Sequence, residues 1–296
     1  MLNIQYQLSE VKTQNELTIF VKMSLFLVSE IDKNGLEHEL KVLNNNSEIH
    51  NYFILKSQTK VGVVKIFQGN FFHLGLIDDI SKEDHITIIS EIENNILNWR
   101  VNKIEATIDV KFSHVLNKLG YHTHFTRKKM HLNLSNIKNL SEVENMLFRN
   151  YSDEILENIA DMATDAYRGT IDEEVGIFSG FTSISSISSI INNEYGLFRK
   201  ELSPILTAEN SDYVEAATLT TINEKNPFIV LIGVRKSEQS KGLGRKLLSY
   251  VIKKSINLGY ESLSLWVTEK NDNALRLYNS VGFIEITSVH TSYKIL

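Results

Sequence analysis

The chain has 296 residues, 42% apolar and 23% charged, with 31 Lys+Arg against 36 Asp+Glu and a formal net charge of -5. This balance excludes a disordered or fibrous protein and gives no global attraction for nucleic acid or an anionic membrane surface. The lack of cysteine removes disulfides, thiolate nucleophiles and cysteine metal sites together, and the length predicts about two domains.

In chain order, the N-terminus MLNIQYQLSE has no basic region followed by an apolar core, so no signal peptide is read there. Leu17–Val28 is apolar but carries Lys22 and falls short of the ~18 residues of a membrane span, so it reads as an amphipathic helix. The expected location is the cytoplasm. Tyr52–Lys56 and Val61–Gly69 read as strands around a turn, followed by Phe71–Ile77, a helix within Ser81–Trp99, a strand Lys103–Ile108 and the segment Phe112–Tyr121. His122 and His124 alternate on one predicted strand with His131 nearby. A zinc site needs a third and usually a fourth ligand, so these are read as solvated strand histidines and no metal is expected. After the strand-like Lys129–Leu134, the polar Ser135–Ser141 reads as the linker, dividing the chain into 1–138 and 139–296.

The second half predicts an alternating pattern of α/β class. Asp153–Tyr167 has helical apolar spacing with Ser152 as N-cap. Phe181–Ile191 is Ser/Ile-rich and reads as a surface helix or a lid. Ile205–Ala208 and Tyr213–Thr221 read as strands, Asn226-Pro227 as a turn, and Phe228–Val234 as an apolar strand buried on both faces. A helix over Gly242–Leu258 stops at Gly259, Ser262–Val267 is a strand, Asn271–Val281 is a helix ended by Gly282, and Ile284–Ile295 is the last strand region. Two charge runs stand out: an acidic one over Asp153–Glu174, interrupted only by Arg168, and a basic one over Arg235–Lys254, interrupted only by Glu238.

The basic run coincides with Gln239-Ser240-Lys241-Gly242-Leu243-Gly244-Arg245, which follows the apolar strand and opens a helix. The first amides of a helix lack internal partners and carry the positive end of its dipole. Glycine lets the backbone approach a phosphate without a Cβ in the way. A Walker loop needs four residues between Gly and Gly-Lys, which are missing. A dinucleotide fold needs a third glycine where Leu247 stands. An anion cradle and a plain helix start both remain open on this segment alone.

Further on stands Asn271-Asp272-Asn273-Ala274-Leu275-Arg276-Leu277-Tyr278-Asn279-Ser280-Val281-Gly282-Phe283. Together the two segments resemble the GNAT superfamily of N-acetyltransferases, with its Q/R-x-x-G-x-G/A loop and N-x-x-A-x-x-L-Y-x-x-x-G-F helix. The resemblance covers roughly residues 145–296. It implies two tandem domains, each a mixed, mostly antiparallel twisted sheet flanked by helices, with a splayed strand pair in the C-terminal one. It implies acetyl-CoA as co-substrate, with its pyrophosphate on Gln239, Ser240, Lys241, Gly242, Leu243, Gly244 and Arg245 and its pantetheine arm along Leu231, Ile232, Gly233 and Val234. By the same resemblance Asn271 and Ala274 steady that arm, and Tyr278 protonates the departing thiolate. By position alone, Tyr278 could equally be a core residue.

The implied acceptor is a primary amine on a small molecule or peptide, taken by direct transfer in a ternary complex, since no cysteine can carry the acyl group. A base for it is sought among Asp172, Glu173, Glu174, Glu201 and Glu215. Glu215 is preferred because a carboxylate amid apolar strand residues needs a reason to be there, and the acidic run would suit a cationic acceptor. The alternatives are an acyl-CoA-binding or sensing protein without turnover, and an acyltransferase using a longer acyl group or a hydroxyl. A monomer or homodimer is expected, with no nucleic-acid or membrane partner.

Residues 52–134 echo the same order, with Leu119-Gly120-Tyr121 parallel to Val281-Gly282-Phe283, Leu116 where Tyr278 stands and Asp109 where Asn271 stands. No glycine lies between Gly75 and Gly120. The first half therefore reads as a degenerate copy without the loop.

Overall fold

The computed structural model describes residues 6–28, 48–137, 148–175, 183–223 and 225–296. The chain divides into two compact units, one of Met1–Thr126 with Ser288–Leu296, the other of Arg127–Thr287. Both are mixed, mostly antiparallel sheets flanked by helices, as expected.

The first unit contains β1 (Tyr6–Glu10), α1 (Gln14–Val28), β2 (His50–Lys56), β3 (Thr59–Phe67), β4 (Asn70–Leu76), α2 (Lys82–Leu97), β5 (Lys103–Asp109) and α3 (Ser113–Lys118). Its strands run in the order β1-β2-β3-β4-β5, and the chain's final segment pairs antiparallel with β5 from Val289 opposite Asp109 to Ile295 opposite Lys103. Isoleucines at 88, 89, 92 and 96 put one apolar face of α2 onto Val64, Ile66, Phe71 and Ile104. On the other face α1 sets Leu17, Phe20 and Val21 against Phe53 and Val63. Among the described residues no helix is long and apolar enough to cross a membrane.

The second unit begins within β6 (His122–Asn133) and continues through α4 (Leu156–Tyr167), α5 (Ile171–Glu174), α6 (Ile184–Ile191), β7 (Leu197–Phe198) and β8 (Ile205–Thr207). Then come β9 (Val214–Asn223), β10 (Asn226–Val234), α7 (Leu243–Asn257), β11 (Ser262–Thr268), α8 (Asp272–Val281) and the start of β12 (Ile284–Ile295). The strand order is β6-β11-β10-β9-β7, with β8 also on β9. One face packs on α4 and α6 through Ile159, Ala163, Ile187, Ala217 and Leu231. The other packs on α7 and α8 through Leu248, Ile252, Leu265 and Tyr278.

Several sequence expectations change. The boundary expected after residue 138 falls outside the described residues. The compact division instead assigns residues 127–133 to the second unit, where they pair with β11 from Thr268 to Ser262, and returns Ser288–Leu296 to the first. Sheet pairing, not the polarity of the intervening segment, decides the partition. The helix at 153–167 opens with a 3-10 turn over Asp153–Ile155, and the Ser152 side chain makes no cap bond. Asn226-Pro227 is not a turn: both residues start β10, opposite Asn223 and Ile222. Within Phe181–Ile191 the described part is the helix α6, capped by Ser183 accepting from the Ser186 amide. The strand expected to be buried on both faces alternates instead, with Ile229, Leu231 and Gly233 buried and the residues between them half-buried.

Candidate functional site

The site starts from a sheet that opens. β10 runs parallel to β11 over only Phe228 with Ser264 and Ile229 with Leu265, while it stays paired with β9 as far as Val234 opposite Ala216. Beyond Leu265 the two parallel strands part, and a bulge between Ile229 and Leu231 marks the fork. The Arg235 amide donates to the Glu215 carbonyl at 2.8 Å. Strand alternation therefore turns the backbone groups of Ile232 and Val234 to the other edge, into the gap. Two side chains already reach that edge: the Tyr167 hydroxyl donates to the Ile232 carbonyl at 2.7 Å and the Gln239 amide to the Val234 carbonyl at 3.1 Å. Leu231 and Gly233 face α4, and a Cβ on Gly233 would lie 3.0 Å from the Met162 sulfur.

At the end of β10 the chain passes a 3-10 turn, Lys236–Glu238, and reaches α7 through Gly242, which is left-handed at φ 79°. No side chain caps this helix, so the amides of Leu243, Gly244 and Arg245 are left over. A Cβ on Gly242 would meet nothing within 4 Å, whereas one on Gly244 would lie 3.2 Å from Leu277 Cδ2. The first glycine supplies a conformation and open space, and the second lets α7 approach α8. Ser240 is also left-handed, at φ 64°. Lys241, Arg245 and Lys246 are exposed, Leu243 is buried, Lys241 Nζ pairs with Glu238 at 2.8 Å, and Arg245 donates to Ser280 Oγ at 2.5 Å.

Across the gap, Asn271 caps α8 by accepting from the Ala274 amide at 3.1 Å, and its Nδ2 donates to Asp172 at 2.8 Å. Asp172 is buried and also accepts from the Thr268 hydroxyl. Ala274 packs half-buried in the cluster around Tyr278, and the Tyr278 ring lies 5.9 Å from that of Phe283. Burial pushes the Tyr278 hydroxyl well above the usual tyrosine range; the charge of Asp172 adds to this and Arg127 opposes it. Burial also raises Tyr167 strongly, with the charges of Tyr278 and Asp172 adding. Both hydroxyls thus keep their protons at neutral pH. Arg127 lies 5.9 Å from the Trp266 ring with its Nε sealed from solvent.

The remaining candidates lie apart. Glu215 is half-buried and stands opposite Arg235, at the loop end of β10. The six residue steps from Ile229 to Arg235 put it about 20 Å along the strand from the fork. Glu201 pairs with Arg199 at 2.7 Å, and Glu173 accepts from the Gly169 amide. Of the acidic run, Asp161 holds the buried Arg235 at 2.6 Å and Asp165 accepts from the Lys236 amide at 2.9 Å. Those acids serve the protein itself. Among the described residues no group of three metal-ligating side chains forms. Sequence reasoning missed Tyr167 and Arg127. Tyr167 ends a predicted helix and Arg127 precedes a predicted strand, and neither carries a local signal.

The site is thus a sheet forked between two parallel strands, with an uncapped glycine helix start at the end of one of them. The Acetyltransferase (GNAT) family model matches residues 172–283. That segment is similar to the GNAT family. The whole chain shares its fold with a GCN5-related N-acetyltransferase from Sphaerobacter thermophilus, at 12% identity and TM-score 0.70, covering 98% of this chain and 95% of that one. A tandem GNAT protein from the clavulanic acid biosynthesis pathway matches at 11% identity and TM-score 0.69, covering 99% and 98%. A GNAT-family acetyltransferase from Colwellia psychrerythraea matches at 13% identity and TM-score 0.63, covering 97% and 100%. At such identities the likeness is one of fold, and it extends over both units.

Proposed function

We propose that the second unit is an acetyl-CoA-dependent N-acetyltransferase that passes acetyl directly to a primary amine. The observation that carries this reading is the fork in β10 and β11, opening toward an uncapped helix start at the end of the same strand. The free amides at 243–245 and the open space at Gly242 fit a diphosphate. The edge of Ile232 and Val234 offers backbone pairing to an amide-bearing arm. Acetyl-CoA supplies the activated thioester, and its chemistry falls at the closed end of the fork.

On this reading the chain's own groups have distinct tasks. The Ile232 and Val234 amides align the arm. Tyr278, held protonated by its burial and by Asp172, donates to the leaving sulfur. Asn271 acts by fixing the start of α8 through Ala274 and by tying that start to Asp172. Gln239 orders the loop through the Val234 carbonyl, and the exposed Lys241, Arg245 and Lys246 add attraction for phosphate. The first unit serves as a structural copy.

Calorimetric titration with acetyl-CoA, followed by thiol release in the presence of a broad amine panel, tests this reading. Binding with turnover is expected. Binding with no turnover on any amine would favour a sensing role, and no binding at all would overturn the assignment.

A further inference from the structure

The face of β6 and β11 that Thr268 shares carries two basic side chains. Arg127 stands opposite Thr268 and Lys129 opposite Trp266, so these four side chains emerge on one face. The Thr268 bond to Asp172 fixes that face as the side on which α5 lies. Trp266 is the first residue past the last paired position of the fork. Among the described residues neither the Arg127 nor the Lys129 side chain makes a hydrogen bond or an ion pair. Arg127 Nε is sealed from water without a partner, and the guanidinium lies 5.9 Å from the Trp266 ring. A half-buried guanidinium stays charged, and its sealed Nε is costly without a partner. Asp172, the carboxylate whose charge reaches it, is already bonded to Thr268 and Asn271.

We propose that Arg127 and Lys129 bind an anionic group on the acceptor, so that the amine acetylated at the fork belongs to a small molecule carrying a carboxylate or a phosphate. This rests on reading the second unit as an amine acetyltransferase. It departs from the cationic acceptor that the acidic run 153–174 would favour, because Asp161, Asp165, Asp172 and Glu173 are bonded to Arg235, Lys236, Thr268, Asn271 and Gly169 of the protein itself. β6 lies one strand spacing, about 4.8 Å, beyond β11. Lys129 and Arg127 stand one and three residues past the fork's last pair, so their long side chains reach back toward an amine and anion joined in one small molecule, such as an amino acid or a phosphorylated amino alcohol. Arginine's planar fork suits either oxyanion.

Two arms test this. With acetyl-CoA as donor, thiol release is compared for phosphoethanolamine against ethanolamine and for β-alanine against its amide. Separately, phosphoethanolamine and β-alanine are titrated calorimetrically into the protein saturated with CoA. The anionic member of at least one pair should bind and be acetylated roughly tenfold or more better than its neutral partner, and the pair that responds distinguishes phosphate from carboxylate. Arg127→Gln should abolish that preference and the binding heat, leaving the KM for acetyl-CoA unchanged and the melting temperature no lower. Arg127→Lys and Lys129→Gln should fall between, and they carry the test should Arg127→Gln not fold. Neutral or cationic amines preferred, no binding of either anion, or unchanged anion binding in the variants each overturns the inference while CoA binding stands. Loss of CoA binding itself would instead sink the reading beneath it.

Discussion

Replacing Gly242 by alanine isolates the conformational demand of the loop. The residue sits at φ 79° with nothing within 4 Å of a built Cβ, so alanine meets no clash and its whole cost is that of holding an L-residue left-handed. That cost is about 1–2 kcal/mol, equivalent to roughly 5–30-fold in an equilibrium constant. It must appear in one of two places. If the unliganded loop keeps its geometry, stability falls by this amount. If the loop relaxes, CoA affinity falls by up to the same factor, because binding must restore the strained shape. Gly244→Ala is the internal control: its φ is not left-handed, and the new methyl would lie 3.2 Å from Leu277 Cδ2, the movable end of a side chain. A helix-propensity gain of up to about 1 kcal/mol offsets that crowding. Denaturant unfolding and calorimetric CoA titration of both variants measure the two destinations. Unchanged stability and affinity in Gly242→Ala, or equal losses in the two variants, would refute the argument.

Tyr278→Phe keeps the ring against Phe283 and removes the proton, so kcat should fall about 10²-fold with CoA affinity unchanged; an unchanged kcat would return this tyrosine to the core. Because burial and Asp172 raise its pKa in the folded state and so suppress its ionisation, the wild-type rate should show no loss from this group as pH rises to about 10. Stability should decline above that pH, where the unfolded chain's tyrosines ionise and the folded hydroxyl does not. Asp172→Asn removes a charge that holds Tyr278 protonated and weakens two hydrogen bonds. It should bring the Tyr278 titration down, read by tyrosinate absorbance, and cost about 1–3 kcal/mol in denaturant unfolding. Deleting Ser288–Leu296 removes the strand paired with β5 and the Lys294–Glu93 bridge of 3.0 Å. Hydrogen exchange should rise sharply in β5 and α2, and preserved protection there would contradict the partition of the last strand.

What was legible in the sequence was local. The capped helix Asp272–Val281, its left-handed Gly282 and the glycines at 242 and 244 each obey rules that span a few residues, and each stands where it was expected. What was not legible depends on register. Glu215 looked purposeful as a carboxylate in an apolar strand, but only pairing with Arg235 reveals that it stands at the loop end. Asp172 meets Thr268 and Asn271 across 96 and 99 residues, and no spacing rule reaches that far. The linker reading of Ser135–Ser141 lies largely outside the described residues, and the compact division falls after Thr126. Polar composition marks a segment as exposed, while the membership of β6 and β12 follows from which edges they extend.

The two units show which part of the site belongs to the fold and which to the sequence. β4 and β5 also run parallel over a short stretch only, Asn70–Phe72 against Glu105–Thr107, so the first unit keeps a forked pair. The following helix differs. Ser81 caps it by accepting from the Asp84 amide at 3.1 Å, and Glu83 and Asp84 stand in its first turn. The amide that would meet a phosphate is taken, and the local field is negative. Leu116, buried where the other unit has Tyr278, offers no proton. Parting strands expose a backbone edge in both units, but an edge alone holds no anion. That requires a helix whose first amides are unclaimed and a glycine that leaves room beside them, and of these two helices the one opened by residues 242–245 supplies both.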